Sequence, residues 1–119
     1  MSASLEHQTD NIYLLHVTGM LRKSELDAVQ ADFIENLAEA GAIKLLVLLE
    51  NFSGWERNAA WDENGFFFRH GDDLEKIAIV GDPRWETEML AFAGAGVRKG
   101  PVRFHPSSAE SRARAWLAE

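Results

Sequence analysis

The stretch Lys76-Ile77-Ala78-Ile79-Val80-Gly81-Asp82-Pro83-Arg84-Trp85 constrains this chain more than any other, because within it a buried strand hands over to a helix. Residues 77–80 are apolar and mostly β-branched, with charge before them and Gly81 after, the pattern of a strand covered on both faces. Asp82 is placed to cap a helix, and Pro83 suits the first helical position because proline lacks the amide donor that a first turn leaves unused. A strand covered on both faces and followed at once by a helix implies a layered α/β domain.

The rest of the chain repeats that alternation. Residues 12–17 read as a strand, with a partner around 4–8 and a turn at Asp10-Asn11. Ser24 followed by Asp27 resembles a capping box, and Leu26, Val29, Phe33, Leu37 and Ala40 then recur on one helical face until Gly41. The near-continuous apolar run 43–49 is a second core strand. Residues 56–70 are expected to be helical despite Gly65, and Trp85, Met89 and Phe92 line one face of the helix after Pro83. Gly94-Ala95-Gly96 ends that helix, and Gly100-Pro101 starts a short strand, 102–104. A last helix opens at Ser107, with Glu110 completing a second capping box and Ala109, Ala113, Trp116 and Leu117 as its apolar face. The expectation is one α/β domain over residues 1–119, with a four- or five-stranded, mostly parallel or mixed sheet and about four helices. Runs 43–49 and 77–80 lie at its centre.

Composition narrows the classes of function. The 119 residues carry a net charge of −7, which argues against general electrostatic binding to nucleic acid or anionic lipid. There is no cysteine, so disulfides and thiolate chemistry are excluded. The first residues lack the basic start and continuous apolar stretch of a secretory signal, and no run is long enough to span a membrane. A cytoplasmic protein is the expectation.

No reaction is written in the motifs. Gly94, Gly96 and Gly100 follow a helix rather than a strand, and their spacing departs from G-x-G-x-x-G, so a helix stop and loop is the better reading than a nucleotide loop. His7, His16, His70 and His105 are widely separated and show no zinc-type spacing. The acids Asp62-Glu63 and Asp72-Asp73 read as solvated surface, and Ser53-Gly54 lacks the flanking pattern of a nucleophile elbow. No nucleophile, base and orienting group can be assembled, so a non-enzyme without metal or cofactor is expected. Asp62, His70 and His105 are the residues to inspect should a polar cleft bring them together.

The aromatic residues say more. Successive helical side chains diverge by about 100°, so Phe66, Phe67 and Phe68 cannot share one face. Phe68 falls seven residues after Trp61 and joins it on the core side, which leaves Phe66 or Phe67 in need of a second apolar environment. Trp55, Trp61, Phe66, Phe67 and Trp85 are therefore the candidate lining of an apolar pocket or of an interface.

Taken in order, Leu45-Val47-Leu48, Phe52-Ser53-Gly54-Trp55, Trp61-Asp62, His70, the run from Ile77 to Asp82 with Trp85, Val102-Arg103-Phe104 and Ala115-Trp116-Leu117 resemble the bacterial SpoIIAA-like family. The resemblance spans residues 13–117. It implies a STAS-like domain, similar in fold also to the lipid-carrying CRAL-TRIO domain, and a part in holding a small non-polar or amphipathic molecule such as a lipid. The alternative it implies is a regulatory interaction module that binds a protein partner or a second copy of itself. The phosphorylatable serine of the signalling branch does not carry over. The corresponding stretch, Arg57-Asn58-Ala59-Ala60, has no hydroxyl, and Ser53 stands too close to the strand.

Overall fold

Every strand of the sheet lies beside the strand that precedes it in the chain. The computed structural model describes residues 3–9, 11–40, 43–57, 74–93 and 100–119, with side chains of the first long helix described as far as residue 31. The elements run β1 (Ala3–Thr9), β2 (Ile12–Leu21), α1 (Lys23–Ala40), β3 (Ile43–Trp55), β4 (Leu74–Gly81), α2 (Glu86–Phe92), β5 (Val102–Pro106) and α3 (Glu110–Ala118), with 3-10 turns at Pro83–Trp85 and Ser107–Ala109 leading into the last two helices. The sheet order is β1-β2-β3-β4-β5. β1 pairs antiparallel with β2, while β2, β3, β4 and β5 are mutually parallel, so the sheet is mixed as expected. The two runs assigned to the centre are interior strands, β3 and β4.

Strand alternation divides the apolar residues between two cores. On one face Tyr13, Leu15 and Val17 of β2, Leu45, Val47 and Leu49 of β3, and Ile77 and Ile79 of β4 pack with Leu26 and Val29 of α1 and Met89 of α2. On the other face Leu46 of β3 and Ala78 and Val80 of β4 lie under Ala113, Trp116 and Leu117 of α3. β4 is therefore buried on both sides, with each of Ile77, Ala78, Ile79 and Val80 at most 1% exposed. The Asp82-Pro83 handover is also present: the Asp82 carboxylate accepts from the Arg84 amide at 3.0 Å, and the first turn is 3-10 before the helix proper begins.

Both capping boxes need correction. α1 begins at Lys23, one residue ahead of Ser24, and the Leu26 amide donates to the Arg22 carbonyl at 3.0 Å. The orphan Lys23 amide is satisfied from a distance, by Glu56 Oε1 at 3.2 Å. At the other site Pro106 occupies the cap position, no side chain caps the turn, and Ser107 sits inside it. Three α-helices stand among the described residues where about four were expected. Glu56 is not helical, and the remainder of the expected helix, beyond Arg57, falls outside the described residues, as do the turn glycines 94 and 96.

Candidate functional site at the carboxyl end of the sheet

β3 runs six residues past the apolar stretch that announced it, to Trp55, and it does so irregularly. Its register against β2 pairs Thr18 with Glu50 and then Met20 with Gly54, so Asn51, Phe52 and Ser53 are accommodated opposite Gly19 alone. Asn51 takes a φ of 53° and Gly54 a φ of 114°. Asparagine is among the few side chains that tolerate the first value, and only glycine accepts the second without strain. A bulge of this kind bends the strand and re-aims its side chains. Here it turns Phe52 inward, to 4% exposure, beneath two tryptophans.

The result is an aromatic cluster assembled from three parts of the chain. Phe52 meets Trp55 edge-on at 5.1 Å between centroids and Trp85 at 4.9 Å. Trp55 and Trp85 are 6.0 Å apart, and Phe92 of α2 closes the group 5.6 Å from Trp55. These are the offset and edge-to-face arrangements that the ring quadrupole favours. Trp85 is fixed further by its Nε1, which donates to the Phe52 carbonyl at 3.1 Å, and the Arg84 guanidinium stands 5.4 Å from its ring. The Trp55 Nε1 is buried and has no hydrogen-bond partner among the described residues. Trp55, Trp85 and Phe92 are each half-buried, packed on the larger core along one side.

Of the five aromatic residues singled out in the sequence, the fold thus brings Trp55 and Trp85 into contact. Trp61, Phe66 and Phe67 lie outside the described residues, as does Phe68. Phe52 and Phe92 complete the cluster. Phe52 escaped attention because Asn51-Phe52-Ser53-Gly54 has the composition of a loop, and only pairing with β2 keeps it in a strand.

Beside the cluster, also at the carboxyl ends of the parallel strands, two depressions share Leu49, Asn51 and Ser107. The larger, about 410 Å³, is lined besides by Leu48, Glu50, Val80 and Glu110. The smaller, about 200 Å³, reaches Phe52, Asp82 and Arg84. Ligands of open α/β sheets characteristically bind at this end. Gly81 closes the adjoining strand end tightly, since a Cβ there would come within 2.8 Å of the Leu49 side chain.

The described histidines are dispersed. His7 packs on Tyr13 at 4.7 Å, and His16 Nε2 lies 2.7 Å from Glu50 Oε2. His105 stands 6.3 Å from Trp116, with its Nδ1 buried and without a hydrogen-bond partner among the described residues. Burial, and then the neighbouring Arg103 charge, pull its pKa below the ordinary histidine value. Asp62 and His70 fall outside the described residues, so of the three residues named for a polar cleft only His105 is described.

The family model for SpoIIAA-like proteins matches residues 12–118. The chain belongs to the SpoIIAA-like family. No curated protein matches its sequence. Among solved structures it is similar to an uncharacterized DUF3478-family protein with a SpoIIAA-like fold from Shewanella loihica PV-4, at 21% identity and a TM-score of 0.72, covering 97% of this chain and 91% of that one. It is also similar to the anti-sigma factor antagonist SpoIIAA in its unphosphorylated form, at 14% identity and a TM-score of 0.64, covering 96% of this chain and 97% of the other. At these identities the likeness is one of fold. In this SpoIIAA-like chain Ser53 is an exposed residue of the β3 bulge, between Phe52 and Gly54.

Proposed function

We propose that this SpoIIAA-like domain is a non-catalytic binding module that docks a protein partner through the aromatic end of its sheet. The observation that carries this reading is the packing of Phe52, Trp55, Trp85 and Phe92. Their rings fill one another's space at 4.9–6.0 Å, so together they form a surface to be covered and leave no hollow among themselves. Half-exposed tryptophans held rigidly by a core are the usual anchors of protein interfaces. A structural neighbour is named an anti-sigma factor antagonist, a role whose object is another protein. Trp61, Phe66 and Phe67, outside the described residues, are the further candidates that the sequence offers for such a contact. The second copy of a homodimer is one such partner.

A second reading has its own observation. The groove of about 410 Å³ falls within the size range of small-molecule sites, and its mix of Leu48, Val80, Glu50 and Glu110 suits an amphipathic molecule. Native mass spectrometry of protein purified from cells separates the two. A bound organic species released by solvent extraction supports the small-molecule reading. For the docking reading, a partner captured by wild-type protein should be lost with Trp85→Ala while circular dichroism is unchanged; retention of that partner by the variant overturns it.

A further inference from the structure

The two edges of the sheet are built differently. β5 is five residues long, follows Pro101, ends on Pro106 and presents the exposed Arg103. Proline and long cations are common means of keeping an edge strand from pairing with another chain. β1, at the other edge, is seven residues long and contains no proline, lysine or arginine. Ser4, Glu6, His7 and Thr9 are exposed along it, and Leu5, packed on the larger core, is only partly covered. Among the described residues no strand pairs with its outer side. The pairing of β1 with β2 is regular from Ala3 opposite Val17 to His7 opposite Tyr13, and the register shifts only between His7 and Thr9. The regular stretch is thus residues 3–7, and Leu5 is its midpoint.

We infer that β1 receives the β1 strand of a second copy of this chain, the two pairing antiparallel about a two-fold axis at Leu5 and joining their sheets edge to edge. The inference goes beyond the docking reading, since it leaves the aromatic end of each copy free for a partner. A two-fold axis normal to the sheet keeps each face on its own side, and because side chains alternate along a strand, a residue must then stand opposite one of its own parity. With the axis at Leu5 the regular stretch matches itself: Ala3 stands opposite His7, Ser4 opposite Glu6, and the two leucines opposite each other. Each Ser4 hydroxyl faces a Glu6 carboxylate, and the paired leucines carry the larger core across the join. An axis at Glu6 would set two carboxylates opposite one another, and an axis at Glu6 or His7 would run the pairing into the irregularity before Thr9. A paired stretch about 17 Å long buries less than the about 800 Å² per partner of a standard interface, so the dimer forms as concentration rises.

The chain has no cysteine, so single cysteines can report the register without background. Leu5→Cys places two thiols opposite each other across the axis, at a Cα separation that a disulfide spans, and should give a linked dimer under mild oxidation. Glu6→Cys and His7→Cys should link more slowly, and Thr9→Cys, far from the axis, should stay monomeric. In sedimentation velocity the wild-type chain should pass from monomer to dimer as concentration rises. Ser4→Glu, at an exposed position, sets a carboxylate opposite the partner's Glu6 twice in each dimer and should weaken it about five- to tenfold. Ser4→Glu/Glu6→Ser exchanges the two residues, restores the net charge of −7 and should recover the wild-type dimer. A monomer at every concentration, equal linking at all four cysteine positions, or a double variant as weak as Ser4→Glu would overturn the inference. So would a dimer lost with Trp85→Ala and indifferent to Ser4→Glu, which would place the two copies at the aromatic end instead and uphold the docking reading. If Ser4→Glu weakens the dimer while Trp85→Ala retains the captured partner, the docking reading falls and the edge pairing stands.

Discussion

Two tryptophan-centred clusters stand on opposite faces of the sheet, and they use the same ring in opposite ways. Trp116, on α3, is 9% exposed and is answered by side chains of this chain: Lys76 Nζ lies 5.0 Å and the Arg103 guanidinium 4.8 Å from its ring. Lys76 also donates to the Trp116 carbonyl at 2.9 Å, tying the end of α3 to β4. Trp55 and Trp85, at the carboxyl end of the other face, pack on Phe52 and one another, with the Arg84 guanidinium 5.4 Å from the Trp85 ring, and each stays partly exposed. Trp116 is closed in on its face by two cations of its own chain, whereas Trp55 and Trp85, with one cation between them, keep part of their ring area in water. The first arrangement serves stability, whereas the second is the one on which the proposed docking rests.

The comparison breaks most readily by truncation. Trp116→Ala should cost about 3–5 kcal/mol in urea unfolding, the range for a large aromatic removed from a packed core. Trp85→Ala should cost less, about 1–2 kcal/mol, because part of its ring area is already in water. Equal losses would mean that the two clusters do the same structural work.

A finer contrast lies within the open cluster. Trp85→Phe removes the Nε1 bond to the Phe52 carbonyl and should cost about 1 kcal/mol. Trp55→Phe removes an indole N–H that is buried without an acceptor, so relief of that penalty offsets the lost ring area and the unfolding midpoint should barely move. A Trp55→Phe loss as large as that of Trp85→Phe would show that the Trp55 donor is satisfied in solution.

The closed cluster should be the one that responds to acid. The His105 pKa is lowered in the folded state, by burial first and by Arg103 second, so between the folded value and the ordinary 6.5 the unfolded chain binds the extra proton. Stability from this group is complete above about pH 6.5 and is lost as pH falls through the folded pKa. The urea midpoint should therefore drop more between pH 7.5 and 5.5 in wild type than in His105→Gln. Identical drops would remove His105 from the account.

How much of this was legible in the sequence depended on distance along the chain. The strand at 77–80 and the Asp82-Pro83 start were readable because both signals are local: an apolar run, and a carboxylate two residues from the amide that it caps. Ser24 misled because the acceptor at the start of α1 comes from Glu56, 33 residues away. Ser107 misled because Pro106 already holds the cap position in extended backbone. The extension of β3 was hidden by a loop-like composition that pairing with β2 overrides. Trp55 and Trp85 could each be named as candidates from the sequence, but not as neighbours, because their contact depends on how the Asn51–Gly54 bulge turns the strand. The cations around Trp116 were hidden in the same way, with Lys76 40 residues from the helix end that it holds.

The order of the strands carries a consequence for how the molecule is made. Since each strand lies beside its predecessor, a chain emerging from the ribosome can lay down the sheet one neighbour at a time, with no strand waiting for a later one to be threaded between. The exception is the second face. Leu46, Ala78 and Val80 are complete long before α3 is synthesised, yet α3 is what covers them. Among the described elements α3 is the cover of that face, so a ribosome that stalls before Glu110 releases an intermediate whose apolar strip lacks that cover, ready to stick to its like.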